Sequence, residues 1–276
     1  MTDATELLSG LEERHVAHRG ARLRLFAGGE GPPLLLIHGY GGAAWNFSEL
    51  APLLPGRSLL IPDLPGHAGS SPLPAAPGLA AFADAVAACL DGTPADVFGH
   101  SMGGAVALRL AERRPDLVRR LVLAAPAGIS SSTRGAGLTI SLAGIVQPGR
   151  IAGRRAARIA RSPRLRRLVF GAFEVANPEL LTERSVHGLL HGPTLHTDAL
   201  GAGRALNADD PRLDLGRVTA PVLLLWGSDD RQVPLEDAFE YARRLRAPLR
   251  VIADCGHLLI SERPEVCARA ALDFLR

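Results

Sequence analysis

The sequence predicts an α/β protein, a mostly parallel sheet flanked by helices with a helical cap inserted late in the chain. Two observations carry this. Apolar runs of strand length recur with helical stretches between them, and that rhythm breaks once, between Gly128 and about Val218. With 276 residues the chain can bury a large core, and its length suits one such domain carrying an insertion.

The strand candidates are Pro33–Ile37, Leu59–Ile61, Val97–Phe98, Leu121–Ala124, Val222–Trp226 and Leu249–Ile252. Arg22–Phe26 precedes them, and Gly28-Gly29-Glu30-Gly31 reads as a turn, so an antiparallel hairpin is expected to open the sheet. Helical spacing falls at Trp45–Leu53, Leu79–Leu90, Met102–Arg114, Leu235–Leu245 and Pro264–Leu275. From Gly128 onward arginine-rich helical pieces replace the strand pattern over a stretch too long for a plain loop. The expected division is therefore a core of residues 1–127 and 213–276, with a cap over 128–212. An insertion following a strand covers the carboxyl edge of the sheet, where such folds bind ligands.

Composition excludes several classes. All 31 basic residues are arginine, and the net charge of +3 is small for this length, so no nucleic-acid partner is expected. Three cysteines, Cys89, Cys255 and Cys267, form neither a disulfide framework nor a cysteine metal site, which points to a reducing cytoplasm. The N-terminal residues are acidic and polar and do not resemble a secretory signal. The longest mostly apolar stretch, around Leu138–Val146, is too short to span a bilayer, and no transmembrane segment is expected.

The strongest chemical signal runs from Val97 to Gly104: a short apolar strand, then Gly99-His100-Ser101-Met102-Gly103, then the small-residue helix start Ala105-Val106-Ala107. A strand-to-helix turn of this type pushes the Ser101 hydroxyl out over the sheet edge, and its glycines let the turn close. The following helix aims its positive end at the reacting centre. A serine hydroxyl needs a base, and the base needs a third group to fix its tautomer and stabilise its charge. Asp229-Asp230 follows the strand ending at Trp226, and His257 follows the next strand. All three follow the carboxyl ends of predicted strands, so loops on one sheet edge can bring them together, while spacing alone leaves Asp229 and Asp230 both open. Attack on a carbonyl also needs two donors for the oxyanion. The Met102 N–H follows the nucleophile, and the glycine-rich turn His38-Gly39-Tyr40-Gly41-Gly42 supplies the second at the Tyr40 N–H.

Five ordered motifs then resemble one known family: HGYGG at His38, DLPGHAGS at Asp63, GHSMGG at Gly99, WGSDDRQVP at Trp226 and CGHLL at Cys255. Together they resemble the α/β-hydrolase superfamily, over nearly the whole chain outside the cap. The resemblance implies that the acid stands three residues after Gly227, at Asp230, and that His38, Asp63 and His67 are structural. One departure is Ala68, where relatives often carry a second glycine. Epoxide hydrolases and haloalkane dehalogenases of this superfamily have aspartate as nucleophile, which Ser101 argues against.

The expected activity is therefore hydrolysis of a small-molecule carboxylic ester, thioester or lactone through an acyl-enzyme on Ser101, with no cofactor and no metal. Carbon–carbon bond hydrolysis and perhydrolysis use the same triad, although the carbon–carbon enzymes often carry a proline in the oxyanion loop that HGYGG lacks. A non-catalytic ligand-binding protein on this fold is the alternative of another class. In the cap, Arg150, Arg154, Arg155, Arg158, Arg161, Arg164, Arg166 and Arg167 read as a solvated helix face or an anion-binding one. His187, His191 and His196 read as polar cap residues near substrate, since H-E-x-x-H is absent.

Overall fold

The computed structural model describes residues 7–74, 78–130, 152–171 and 174–276. The apolar stretch Leu138–Val146, together with Arg150, lies outside them. Eight strands form one sheet: β1 (Glu12–His18), β2 (Ala21–Gly28), β3 (Pro33–Ile37), β4 (Ser58–Pro62), β5 (Ala95–His100), β6 (Val118–Ala124), β7 (Val222–Gly227) and β8 (Leu249–Ile252). Their spatial order is β1-β2-β4-β3-β5-β6-β7-β8, antiparallel among β1, β2 and β4 and parallel from β4 through β8.

The central strands are buried on both faces, and each of their apolar runs reads continuously for that reason: β5 and β7 have no exposed position. The opening hairpin differs from expectation. Strand β2 pairs with β1 through the turn at Arg19-Gly20, whereas Gly28–Gly31 links β2 to β3, and β4 lies between those two strands. Strand β1 is polar and almost wholly exposed on the sheet edge, so it has no alternation that a sequence pattern could register. The expected helix at Trp45–Leu53 is two short 3₁₀ turns, Ala44–Phe47 and Ala51–Leu53, interrupted before Pro52.

Helices α1 (Leu79–Ala88), α2 (Met102–Arg113), α7 (Leu235–Leu245) and α9 (Pro264–Phe274) cover the sheet, with a single turn, α8 (Leu259–Glu262), before the last. Between β6 and β7 the described residues form α3 (Ala156–Arg161), α4 (Pro163–Phe170), α5 (Glu183–His191) and α6 (Ala199–Asn207), with no strand among them. Ile159, Phe170, Val175, Leu181, Val186 and Leu190 make a small core of their own there, and Leu258 beside the sheet edge joins it. Arg109, on α2, ties this region to the core through Asp209 and Asp214.

The strand order fixes where a ligand site must lie. From β3 the chain moves to β4 on one side and then to β5 on the other, so the loops leaving the carboxyl ends of β3 and β5 diverge and open a crevice. Ile37 and Gly99 are register partners, which starts the two loops side by side.

Candidate active site

The turn at Ser101 is the most constrained backbone of the crevice. Ser101 has φ 55° and ψ −121°, a left-handed conformation that a side chain takes only under constraint. The constraint is close packing: a β-carbon on Gly103 would run into the carbonyl oxygens of Ile37 and His38, both rigid backbone. The Ser101 carbonyl meanwhile accepts N–H bonds from Gly104 at 2.9 Å and Ala127 at 3.0 Å. Strand β5, helix α2 and the loop after β6 thus hold the serine from three sides.

The structure brings Ser101, His257 and Asp230 together. His257 Nε2 lies 2.9 Å from Ser101 Oγ and Nδ1 lies 2.8 Å from Asp230 Oδ2. A carboxylate only accepts, so Nδ1 carries the proton and Nε2 is the lone pair facing the serine hydroxyl. Asp230 Oδ1 accepts the N–H groups of Gln232 and Val233, each at 2.9 Å, which fixes the carboxylate plane. Trp226 Nε1 closes the same loop by donating to the Val233 carbonyl at 3.0 Å. Asp229 instead accepts the Ser228 hydroxyl at 2.6 Å at an exposed position. The ambiguity between the two aspartates is thereby resolved geometrically in favour of Asp230 as the partner of His257.

His257 is also held from behind. The His100 ring lies 5.0 Å from it, and His100 Nε2–H donates to the His257 carbonyl at 2.9 Å. Burial pushes the His100 imidazole down to about 3, with repulsion from His257 adding to the effect, so it stays neutral there. The buried Glu262 carboxylate accepts the Gly256 N–H at 2.6 Å and the Asn177 N–H at 2.8 Å, which joins the histidine loop to the segment after α4. Sequence reasoning missed both supports, because His100 sits at a position the serine motif leaves open and Glu262 acts only through main-chain groups.

Above the serine lies the loop after β3. Gly42 N–H donates to the Gly39 carbonyl at 3.1 Å, and Gly41 at φ 67° takes the position of a tight turn that needs a left-handed residue. A β-carbon on Gly39 would come within 3.0 Å of Ser101 Cβ, so only glycine lets the loop approach this closely. Tyr40 follows Gly39 directly, and Met102 begins α2, where an N–H has no intrahelical acceptor. These are the two amides expected to face a carbonyl held at Ser101.

His38 donates from Nδ1 to the Gly39 carbonyl at 2.8 Å and accepts the Leu64 N–H at Nε2 at 2.9 Å. Asp63 accepts the Ala44 N–H at 2.8 Å, the Gly69 N–H at 3.1 Å and Arg24 Nε at 2.6 Å. Both side chains are spent on main-chain and structural contacts. Ala68 has φ 40°, which gives the physical reason relatives often carry glycine there. Among the described residues no group of three or more histidine, cysteine or acidic side chains is arranged to hold a metal ion. No described helix is long and apolar enough to cross a membrane.

The sequence matches the alpha/beta hydrolase fold family over residues 32–264. The chain belongs to that family. It is 37% identical over 264 residues to the pimeloyl-[acyl-carrier protein] methyl ester esterase of Aromatoleum aromaticum, covering 89% of this chain and 98% of the relative. It is 28% identical over 273 residues to the 2-hydroxy-6-oxo-6-phenylhexa-2,4-dienoate hydrolase of Burkholderia cepacia, covering 92% and 91%. Among solved structures, a thermophilic esterase from Thermogutta terrifontis superposes with a TM-score of 0.72 at 25% identity, over 96% of this chain and 98% of that one. In this α/β hydrolase, the serine, histidine and aspartate brought together at the carboxyl edge come from three separate loops, after β5, β8 and β7.

Proposed function

We propose that this ester hydrolase works through an acyl-enzyme on Ser101, with His257 as general base and acid, Asp230 as the group that orients it, and the N–H groups of Tyr40 and Met102 as oxyanion donors. The observation that carries the reading is the single imidazole bridging Ser101 Oγ and Asp230 Oδ2 at 2.9 and 2.8 Å. As Ser101 Oγ bonds to the acyl carbon, its proton passes to His257 Nε2, and Asp230 stabilises the resulting imidazolium. The carbonyl oxygen gains charge and is held by amides already oriented, which costs no reorganisation during reaction. His257 then protonates the departing alcohol, takes a proton from water and returns it to Ser101 as the acid leaves.

A finer reading concerns the acyl group. The Aromatoleum relative is named for an ester carried on acyl-carrier protein. In this chain Arg154, Arg155, Arg158, Arg161, Arg164 and Arg167 are exposed, and among the described residues only Arg167 of these pairs with an acid, Glu179. Such a face favours an acyl group presented on an acidic carrier. The boundaries 128–212 for the cap, and a cytoplasmic setting, belong to the same proposal; Cys89, Cys255 and Cys267 are all free and buried. The test is hydrolysis of short and medium p-nitrophenyl esters by wild type and Ser101→Ala without added metal. Loss of activity in the variant supports the reading, and equal activity in both refutes it.

A further inference from the structure

His196, read from the sequence as a polar cap residue near substrate, spends both ring nitrogens on main-chain groups. His196 lies just before α6, and its ring is inserted between the loops that follow β3 and β4. Ala68 N–H donates to Nδ1 at 3.0 Å, so Nε2 carries the proton and donates to the Gly41 carbonyl at 2.9 Å. On the other side of the same residue, Gly41 N–H donates to His67 Nε2 at 3.2 Å, and His67 Nδ1–H donates to the Pro65 carbonyl at 3.1 Å. The His67 and His196 rings are 4.9 Å apart and the His38 and His67 rings 5.2 Å. The turn that aims the Tyr40 amide is thus held at three points: Gly39 O by His38, Gly41 N–H by His67 and Gly41 O by His196. His38 and His67 belong to the core, and His196 alone comes from the segment between β6 and β7.

The neighbouring residues dock with it. Thr197 and Asp198 N–H groups both donate to the Gly66 carbonyl at 3.0 Å, and a β-carbon on Gly66 would strike the Asp198 backbone at 2.8 Å. We propose that His196 is a positioning residue of the oxyanion hole: its Nε2–H holds the Gly41 carbonyl, so that seating the segment His196–Asp198 and setting the Tyr40 amide are one event. This rests on the proposed roles of Ser101 and Tyr40. It means that catalytic competence and docking of the segment before α6 share one hydrogen bond. Each imidazole of the set accepts an N–H at one nitrogen, so each must be neutral to serve. Burial holds His38, His67 and His196 below the ordinary histidine range, against the pull of Asp63 on His38 and His196.

Labelling by a fluorophosphonate tests this without knowledge of the natural substrate. Ser101 Oγ bonds to phosphorus, fluoride leaves, the serine proton passes to His257, and the phosphoryl oxygen occupies the oxyanion site. His196→Asn keeps an acceptor near the Nδ1 position and loses the reach to Gly41, whereas His196→Gln keeps an amide donor near the Nε2 position. The expected result is a fall of about ten- to a hundredfold in the maximal labelling rate of His196→Asn, with the half-saturating concentration within about twofold of wild type, and recovery to within about threefold in His196→Gln. Irreversibly inactive protein lowers the labelled fraction and not the rate, and a reversible unfolding equilibrium slows labelling only by the folded fraction, which circular dichroism of each variant supplies. Should His196→Asn not fold, His196→Ala with and without imidazole replaces it, with imidazole expected to restore the rate. Equal rates in the Asn and Gln variants, a slower Gln variant, or a loss confined to half-saturation would overturn the proposal. Labelling that persists in Ser101→Ala would overturn instead the reading on which it rests.

Discussion

Acid should unfold this protein through its buried histidines, and the magnitude follows from two of them. His38 and His100 are wholly enclosed, and burial pushes their imidazoles from 6.5 to about 4 and about 3. A folded value below the unfolded one means that the folded state binds fewer protons, so the stability is complete above pH 6.5 and is lost as pH falls toward the folded values. At 1.36 kcal/mol per pKa unit, each site costs about 3 kcal/mol at pH 4, about 6 kcal/mol together. That is comparable to the whole stability of an ordinary domain. Glu174, Glu262 and Asp237 act in the opposite sense, since burial raises their carboxyls and proton uptake favours the fold. A variant isolates one site from these. His100→Gln keeps a donor for the His257 carbonyl and cannot titrate, so urea unfolding at pH 7 and pH 5 should show a loss on acidification about 2 kcal/mol smaller than in wild type. Equal losses would mean that His100 accepts a proton in place, and the reasoning from its burial would fail.

Three further outcomes follow from the site and its supports. Asp230→Asn should lower kcat by roughly 10³- to 10⁴-fold on a p-nitrophenyl ester by fixing the wrong His257 tautomer, whereas Asp229→Asn, at an exposed bond to Ser228, should stay within about threefold of wild type; comparable losses in both would break the assignment. Gly103→Ala forces a methyl group against the Ile37 and His38 carbonyls and should destabilise the fold by about 3 kcal/mol or more, read as a shift in urea midpoint, and a neutral result would show that the turn can yield. Arg109→Met leaves Glu112, Asp209 and Asp214 without their shared cation and should cost about 2–4 kcal/mol in thermal or urea unfolding, with reversal of about half on adding Asp209→Asn.

The residues whose chemistry depends on local backbone were readable from the chain. Ser101 is one: a strand, a glycine-flanked turn and a small-residue helix start leave the serine a single exit; Asp230 follows a fully buried apolar strand, and His257 follows the short edge strand β8, whose middle residues are exposed. The central strands were legible for the same reason, since burial on both faces demands continuous apolar residues. Strand β1 was not, because an exposed edge imposes no pattern, and neither was the split of Trp45–Leu53 into two short turns. What tertiary structure alone decided are the contacts between main-chain groups and distant side chains. Spacing left Asp229 and Asp230 both open and the family resemblance implied Asp230, but the contact itself, Asp230 Oδ2 against His257 Nδ1, depends on the direction of each carboxylate as the chain leaves β7. Glu262 and His196 act on backbone N–H and carbonyl groups 85 and 155 residues away. Such partners carry no side-chain signature, so only the folded geometry can bring them into view.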